Sequence, residues 1–406
     1  MESKFEKGLT DSRVKQIQES LRKLGVDGWL FYSFRKNNPV AQKILDLPEH
    51  LTQMRRFFYY IPSAGVPQKL VHGIERGTLD TLPGDKMIFS SWRELEDALK
   101  KMVRGAKKVA MEYSPEANIP YVSIVDAGTL ELVRKTTGAE IVSSADMIQY
   151  FDSTWDNEQL ELHLEASRAL IKIVHEAFEE IRHKIKSKQK ITEYNVQQFI
   201  LKRFEEHGLT TEHLPNCSVN QNSGDPHYEP TKDIFKEIQE GDFVLIDLWA
   251  KKKTPRGVYA DYTWVGYAGT SVPETYEKIF QVVKGARDAA VSYIKNEINK
   301  DQPLYGWQID DVCRNYIKSK GYGEYFIHRT GHSIGEDVHG NGANIDNLET
   351  KDNRRIIPRT CFSIEPGIYF IDDFGVRTEI DVFVMENKDI LVTGTPLQQE
   401  VIAILK

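Results

Sequence analysis

The pattern of apolar and polar positions changes character near residue 156. Before that point, short apolar runs are interleaved with helical stretches. Val14, Ile17, Leu21 and Leu24 recur at helical spacing, and Gly25 follows as a stop. Gly28-Trp29-Leu30-Phe31-Tyr32 reads as a buried strand, as do residues 86–89 and 109–113. Ser91 is placed to cap a helix that continues through Met102. The run Arg55-Arg56-Phe57-Phe58-Tyr59-Tyr60 reads as a strand or interface segment in preference to a substrate contact. Residues 1–155 are therefore expected to form a mixed α/β domain.

After residue 156 long helices precede paired strands. Leu160, Leu164, Ile171, Val174 and Phe178 fall close to one face of a helix over 157–187, and a second helix covers 192–206 with Gly208 as its stop. Strands are expected at 243–249 and 258–267. The order recurs after Pro273, with helices at 274–298 and 307–319 and strands at 362–370 and 376–384. Asp247 and Asp261 lie 14 residues apart in the first strand pair, Glu365 and Glu379 lie 14 apart in the second, and the pairs are offset by 118. Two helix-helix-hairpin halves thus place two carboxylates each at matching positions, an internal pseudo-repeat. Alternation along a strand puts such residues on one face unless a turn or bulge intervenes.

Composition narrows the class. A chain of 406 residues is expected to form two domains, and 40% hydrophobic with 28% charged residues is the balance of a globular protein. A net charge of -7 gives no electrostatic argument for nucleic acid or an anionic membrane. No apolar run is long enough to span a bilayer, and residues 1–7 lack the apolar core of a leader. Cys217, Cys313 and Cys361 are too dispersed for a disulfide framework and read as reduced thiols, so a cytoplasmic location is expected. The sequon Asn216-Cys217-Ser218 then carries no meaning.

The acids bear on chemistry. Asp247 lies within Phe243-Val244-Leu245-Ile246-Asp247-Leu248-Trp249, and Glu365 follows Phe362-Ser363-Ile364. Carboxylates so flanked are costly to bury, and four together repel; cations compensate both costs, and four carboxylates suit two divalent ions. His328, His332 and His339 fall within twelve residues, in a segment whose glycines allow close backbone approach. His227 sits in a turn-rich loop, 112 residues before His339, as an approximate symmetry mate. Other motifs fall away. His175-Glu176-Ala177-Phe178-Glu179 lacks the second histidine of a zinc-protease helix, residues 184–190 read as a solvated helix end, and neither a P-loop nor Gly-x-Ser-x-Gly is present.

At these residues the chain resembles the pita-bread metallopeptidases, which include methionine aminopeptidase, aminopeptidase P, prolidase and creatinase. The matching segments are Ile246-Asp247-Leu248, Ala260-Asp261-Tyr262-Thr263, Thr330-Gly331-His332-Ser333-Ile334-Gly335, Ile364-Glu365-Pro366-Gly367-Ile368-Tyr369 and Val376-Arg377-Thr378-Glu379. The resemblance implies an α+β fold: a pita-bread catalytic domain over residues 156–406, with pseudo-twofold halves, preceded by a creatinase-like α/β domain. It implies five metal ligands, Asp247, Asp261, His332, Glu365 and Glu379, holding two divalent ions. Mn²⁺ is expected first, with Co²⁺, Fe²⁺ or Zn²⁺ also suited to the oxygen-rich set. Asp261 and Glu379 would be shared between the ions, Asp247 would complete one site, and His332 with Glu365 the other. Glu365 would also take a proton from the attacking water, and His227 and His339 would position the scissile amide. His328 and Arg377 would contact substrate, and Thr263 would orient a ligand from behind.

The large first domain and Arg377 resemble the Xaa-Pro branch, which implies a proline-containing peptide as substrate. The resemblance also implies a homodimer with one chain's first domain near its partner's active site. Two other readings stand beside this one: a hydrolase or lyase acting on a small molecule as creatinase does, and a non-catalytic peptide-binding protein, although binding-only relatives tend to lose ligands that this chain keeps. The chain departs from the family at Trp264, where relatives often carry arginine, and in a long first hairpin bearing Lys251-Lys252-Lys253-Thr254-Pro255-Arg256. Dipeptide and longer substrates are both left open.

Overall fold

A computed structural model describes residues 9–406, so the leader reading of residues 1–7 lies outside the described residues. The chain divides into two compact units, Met1–Asp152 and Ser153–Lys406.

The first unit carries helices α1 (Asp11–Leu24), α2 (Pro39–Ile44), α3 (Trp92–Met102), α4 (Ala127–Thr137) and α5 (Ala145–Asp152). Its strands are β1 (Gly28–Ser33), β2 (Phe57–Pro62), β3 (Gln68–His72), β4 (Asp85–Phe89), β5 (Lys108–Met111) and β6 (Glu140–Ser143), in the order β4-β3-β2-β1-β5-β6. Local signals set the helix ends. Thr10 caps α1, Gly25 leaves it at φ 65, and Ser91 with Glu94 forms a capping box on α3. Strands β1 and β2 are buried on both faces, which explains their unbroken apolar reading. Trp29, Phe31, Phe57 and Tyr59 pack on one side, Leu30, Tyr32, Phe58 and Tyr60 on the other. The aromatic part of the 55–60 run is therefore core strand, and its two arginines precede it.

One carboxylate is sealed into this unit. Glu112 is fully buried, and its oxygens accept from Trp29 Nε1 at 2.6 Å and Asn38 Nδ2 at 2.7 Å. Burial outweighs these donors and pushes the carboxyl up to about 7. A raised folded-state pKa gives a contribution that is fully present below the ordinary value of 4.5 and is lost as pH rises through about 7. From pH 4.5 to 8, the stability difference between Glu112→Gln and wild type is expected to move by about 3 kcal/mol in favour of the variant. Denaturant unfolding at both pH values checks this, and a pH-independent difference would contradict it.

The second unit opens with α6 (Asn157–Lys186) and α7 (Glu193–Glu206), followed by β7 (Leu209–Thr210), β8 (Asn216–Val219) and the long hairpin β9 (Phe243–Lys252) and β10 (Tyr259–Tyr267). Helices α8 (Glu274–Glu297) and α9 (Gly306–Ser319) begin the second half. Strands β11 (Ser333–Ile334), β12 (Cys361–Ile364), β13 (Gly367–Phe370), β14 (Phe374–Arg377), β15 (Ile380–Val384), β16 (Ile390–Val392) and β17 (Ile402–Ala403) complete it. One sheet runs β17-β10-β9-β7, with β8 also on β9; a second runs β11-β12-β15-β16; β13 and β14 form a separate pair. The helix-helix-hairpin order recurs, but the halves differ. The expected strands 362–370 and 376–384 are each interrupted, at Glu365-Pro366 and at Thr378-Glu379. Pro366 has no N–H to donate to a ladder, which accounts for the first break. The breaks fall at the two glutamates, leaving their carboxylates at the ends of strand segments.

Candidate metal centre

Register settles which acids share a face. Thr263 pairs directly with Asp247 across β9 and β10, and Asp261 lies two residues before Thr263, so all three project to one side. Tyr262 and Trp264 take the other side, within the core beneath α6, where Trp264 meets His175 edge-on at 4.7 Å. The departure at Trp264 thus turns away from the acids and leaves their surroundings unchanged. The hairpin carrying Lys251 and Arg256 is tied down locally, with Arg256 Nη1 3.0 Å from Glu158 and Lys251 over the Tyr259 ring.

Two backbone links bring the second half against this hairpin. Glu379 N–H donates to Thr263 O at 3.3 Å, and Asp261 N–H donates to Asp381 Oδ2 at 3.0 Å. His332 arrives on the segment after Gly331, where a Cβ would lie 1.9 Å from Ser363 O, so only glycine permits the approach. The His332 Nδ1 lies 3.2 Å from Ser333 O; a carbonyl can only accept, so Nδ1 carries the proton and Nε2 presents a lone pair. Nε2 faces Glu365 Oε1 at 3.5 Å and Asp261 Oδ2 at 3.7 Å.

Ligating atoms of Asp261, His332 and Glu379 lie within 4.8 Å of one another, and all three residues are buried. Asp261 Oδ1 is buried without a hydrogen-bond partner. A histidine lone pair beside gathered carboxylates, one of them with an unsatisfied buried oxygen, fits a cation. Asp247 and Glu365 border the same cluster: Thr263 Oγ1 is 2.9 Å from Asp247 and 2.8 Å from Glu379, and Ser363 Oγ donates to Glu365 Oε1 at 3.1 Å. Burial and then the neighbouring carboxylates hold Asp261 and Glu379 well above the usual carboxylate range; burial takes Glu365 up to about 7. The nearby Arg377 guanidinium opposes these shifts without cancelling them.

Arg377 braces the cluster. Its guanidinium donates to Thr263 Oγ1 at 3.0 Å, to Tyr369 OH at 3.1 Å and to Asp247 Oδ2. Tyr369 in turn reaches His328 Nε2 at 2.8 Å, while His328 Nδ1 bonds Arg329 O at 2.7 Å. Both nitrogens of His328 and three donors of Arg377 are engaged within the protein. His339 keeps an exposed edge, its ring 4.3 Å from His332, and burial with the charge of Arg329 takes it down to about 4. The charges of His213 and His227 also act on His339. His227 is exposed on its loop.

Sequence reasoning gave no role to Tyr369, Asp381, Ser363 or Glu193. Asp381 follows Thr263 by the same 118 residues that relate the acid pairs, a signal available in the chain. Glu193 is fully buried and accepts from Val219 N at 2.7 Å, Asn222 Nδ2 at 2.9 Å, Tyr228 OH at 2.5 Å and Lys236 N at 2.6 Å. These donors flank His227 on both sides.

Residues 165–386, more than half of the chain, match the profile of Metallopeptidase family M24. The chain belongs to metallopeptidase family M24. Membership implies divalent metal ions, and the buried Asp261, His332 and Glu379 fit them. The chain is similar to an Xaa-Pro dipeptidase of Lactobacillus helveticus, with 33% identity over 161 residues, 40% of this chain and 39% of that one. The matched stretches span 53%, 42% and 47% of the first three curated relatives. Solved structures share the fold along almost the whole chain. Dipeptidase PepE from Mycobacterium ulcerans superposes with a TM-score of 0.73 at 19% identity over 97% of each chain. The prolidase from Pyrococcus horikoshii gives 0.63 at 22% identity over 97% of this chain and 100% of that one. The M24 pita-bread fold, with a mixed α/β unit ahead of it, is the architecture of this chain.

Proposed function

We propose that the second unit hydrolyses peptide bonds that precede proline, with two divalent ions, Mn²⁺ first among them, held by Asp247, Asp261, His332, Glu365 and Glu379. The observation carrying this reading is the convergence of Asp261, His332 and Glu379 within 4.8 Å, beside buried Asp247 and partly buried Glu365. Bound ions supply Lewis-acid polarisation of a carbonyl and lower the pKa of water toward ~7. Glu365 Oε1 is held by Ser363, which leaves Oε2 to take a proton from the attacking water. His227 and His339 flank the scissile amide, and His339, neutral at physiological pH, can donate to a developing oxyanion. Arg377, Tyr369 and His328 act as a brace that fixes Asp247. A prolyl amide has no N–H, so a site that works on the carbonyl rather than the nitrogen accommodates it. Three free, buried cysteines agree with a cytoplasmic location, and no helix among the described residues is long and apolar enough to cross a membrane.

The test is hydrolysis of Xaa-Pro dipeptides, Xaa-Pro tripeptides and matched Xaa-Ala controls with Mn²⁺ present. The reading requires a clear preference for Xaa-Pro. Equal cleavage of Xaa-Ala removes the prolyl assignment, and cleavage of creatine alone favours a small-molecule substrate. Light scattering tests the homodimer that we also propose; a fully active monomer would overturn it.

Glu193 supports the same reading as a positioning residue for the His227 loop. Glu193→Ala is expected to lower activity roughly 10–100-fold while Mn²⁺ affinity holds. Loss of Mn²⁺ binding in this variant would show that its effect reaches the ligands and not the loop alone.

A further inference from the structure

A cavity of about 750 Å³ lies wholly within the first unit, and none of its lining residues belongs to the acid cluster. It opens at one edge of the sheet. Strand β1 ends there at Ser33, β3 at His72 and β4 at Phe89, with Ser33 opposite Phe57 and His72 opposite Phe89. Helices α3 and α4 begin at the same edge. In open α/β sheets the crevice outside the carboxyl ends of parallel strands is where ligands bind, because loops diverge there and helix N-termini point in.

The lining is divided by chemistry. Tyr32, Phe34, Phe89 and Trp92 give an apolar, aromatic wall. Arg55 and Arg56 supply two guanidinium groups, and among the described residues neither has a carboxylate within ion-pair distance. Arg56 is half-buried, so it is poorly placed to be satisfied by bulk water alone. Asp126 also lines the cavity. Its oxygens cap α4 by accepting from Thr129 N at 2.9 Å and Thr129 Oγ1 at 2.8 Å, and no cation among the described residues pairs with it. Tyr32 lies near enough to feel the charges of both Arg56 and Asp126, and those two form no ion pair with each other.

A cavity lined by aromatic side chains, two guanidinium groups and a carboxylate, none of them in an ion pair with another, is complementary to a zwitterion with an apolar body. We propose that this cavity binds a small α-amino-acid zwitterion, a free amino acid or dipeptide with an apolar side chain. Arg55 and Arg56 take its carboxylate, Asp126 its ammonium, and the aromatic wall its side chain. A planar guanidinium fork suits a carboxylate in particular. The volume falls within the roughly 300–1,000 Å³ usual for small-molecule sites. The inference stands on residues of the first unit alone and does not depend on the peptidase reading.

Titration calorimetry of the full chain with L-phenylalanine tests it, with 3-phenylpropionate (no ammonium) and phenethylamine (no carboxylate) as probes. L-Phenylalanine is expected to bind once per chain, 3-phenylpropionate more weakly, and phenethylamine weakest. Arg56→Gln should weaken L-phenylalanine by about tenfold or more, the loss of a charge-assisted hydrogen bond. Asp126→Asn keeps a helix cap and should narrow the gap between L-phenylalanine and 3-phenylpropionate. Trp92, 58% exposed, gives a second variant, Trp92→Ala, that weakens binding without a risk to folding. His339→Ala should leave binding unchanged. Absence of binding at millimolar ligand overturns the proposal. So does binding that survives Arg56→Gln but is lost in His339→Ala, which would place it at the acid cluster. A change of oligomeric state in Arg56→Gln without amino-acid binding would instead make this face a contact between copies.

Discussion

Replacing Glu379 with glutamine is expected to slow peptide hydrolysis by roughly a thousandfold or more, beyond the loss of a single oxyanion donor, yet to leave the metal-free second unit no less stable than wild type. Glu379 is buried, and Asp261, Glu365 and Asp247 all raise its carboxyl above the usual range. Without metal, that charge is a net burden on the fold. Glutamine removes the charge and keeps an oxygen for the Thr263 hydroxyl, 2.8 Å away in the native protein. With metal the order reverses. An ion present at 100 times its Kd stabilises the native state by about 2.7 kcal/mol, a gain that a protein lacking the ligand forgoes. Urea unfolding of both proteins, with and without Mn²⁺, should show curves that exchange places. A variant that still gains stability from Mn²⁺ and still turns over would remove Glu379 from the ligand set.

That reversal depends on four acids meeting in space, and the chain announces this unevenly. The equal spacings of Asp247 with Asp261 and of Glu365 with Glu379 are visible because each pair sits on two strands joined by one turn, so local geometry repeats. Helix limits are legible for the same reason, since Ser91, Thr192, Asp156 and Gly25 act on residues within one turn of themselves. The breaks at Glu365 and Thr378 are not legible as breaks, because apolar residues continue on either side. The direction of Trp264 follows from its parity with Asp261, once the register of β10 is known. Glu193 gives no sequence signal at all. Its partners lie 26 to 43 residues away on a loop whose path only tertiary packing decides. The cavity of the first unit is equally hidden, since its arginines, its aspartate and its aromatic wall come from four separate segments.

Arg377→Ala is expected to cost the metal-free protein about 3–5 kcal/mol, the penalty for stranding a buried charge, and to recover part of that loss when Mn²⁺ is added. The guanidinium lies among four acids and is itself buried, and its contact with Asp247 holds it well above its usual range. Asp247 keeps the Thr263 hydroxyl after the change, but one hydroxyl hydrogen cannot serve both Asp247 and Glu379. A divalent ion restores positive charge beside Asp247, so the cost shrinks when metal is present. Turnover should not recover with it. Tyr369 and His328 lose the anchor that holds them behind Asp247, and loosening such outer partners costs roughly 10–100-fold in activity. Arg377→Lys should behave like the alanine variant in turnover. A single ammonium is a compact charge without the planar fork, and Nε, Nη1 and Nη2 here address three different oxygens. Urea unfolding with and without Mn²⁺, alongside kcat and KM for an Xaa-Pro dipeptide, separates these effects. Full activity in Arg377→Lys would show that charge alone suffices, and the bracing role of the fork would then be abandoned.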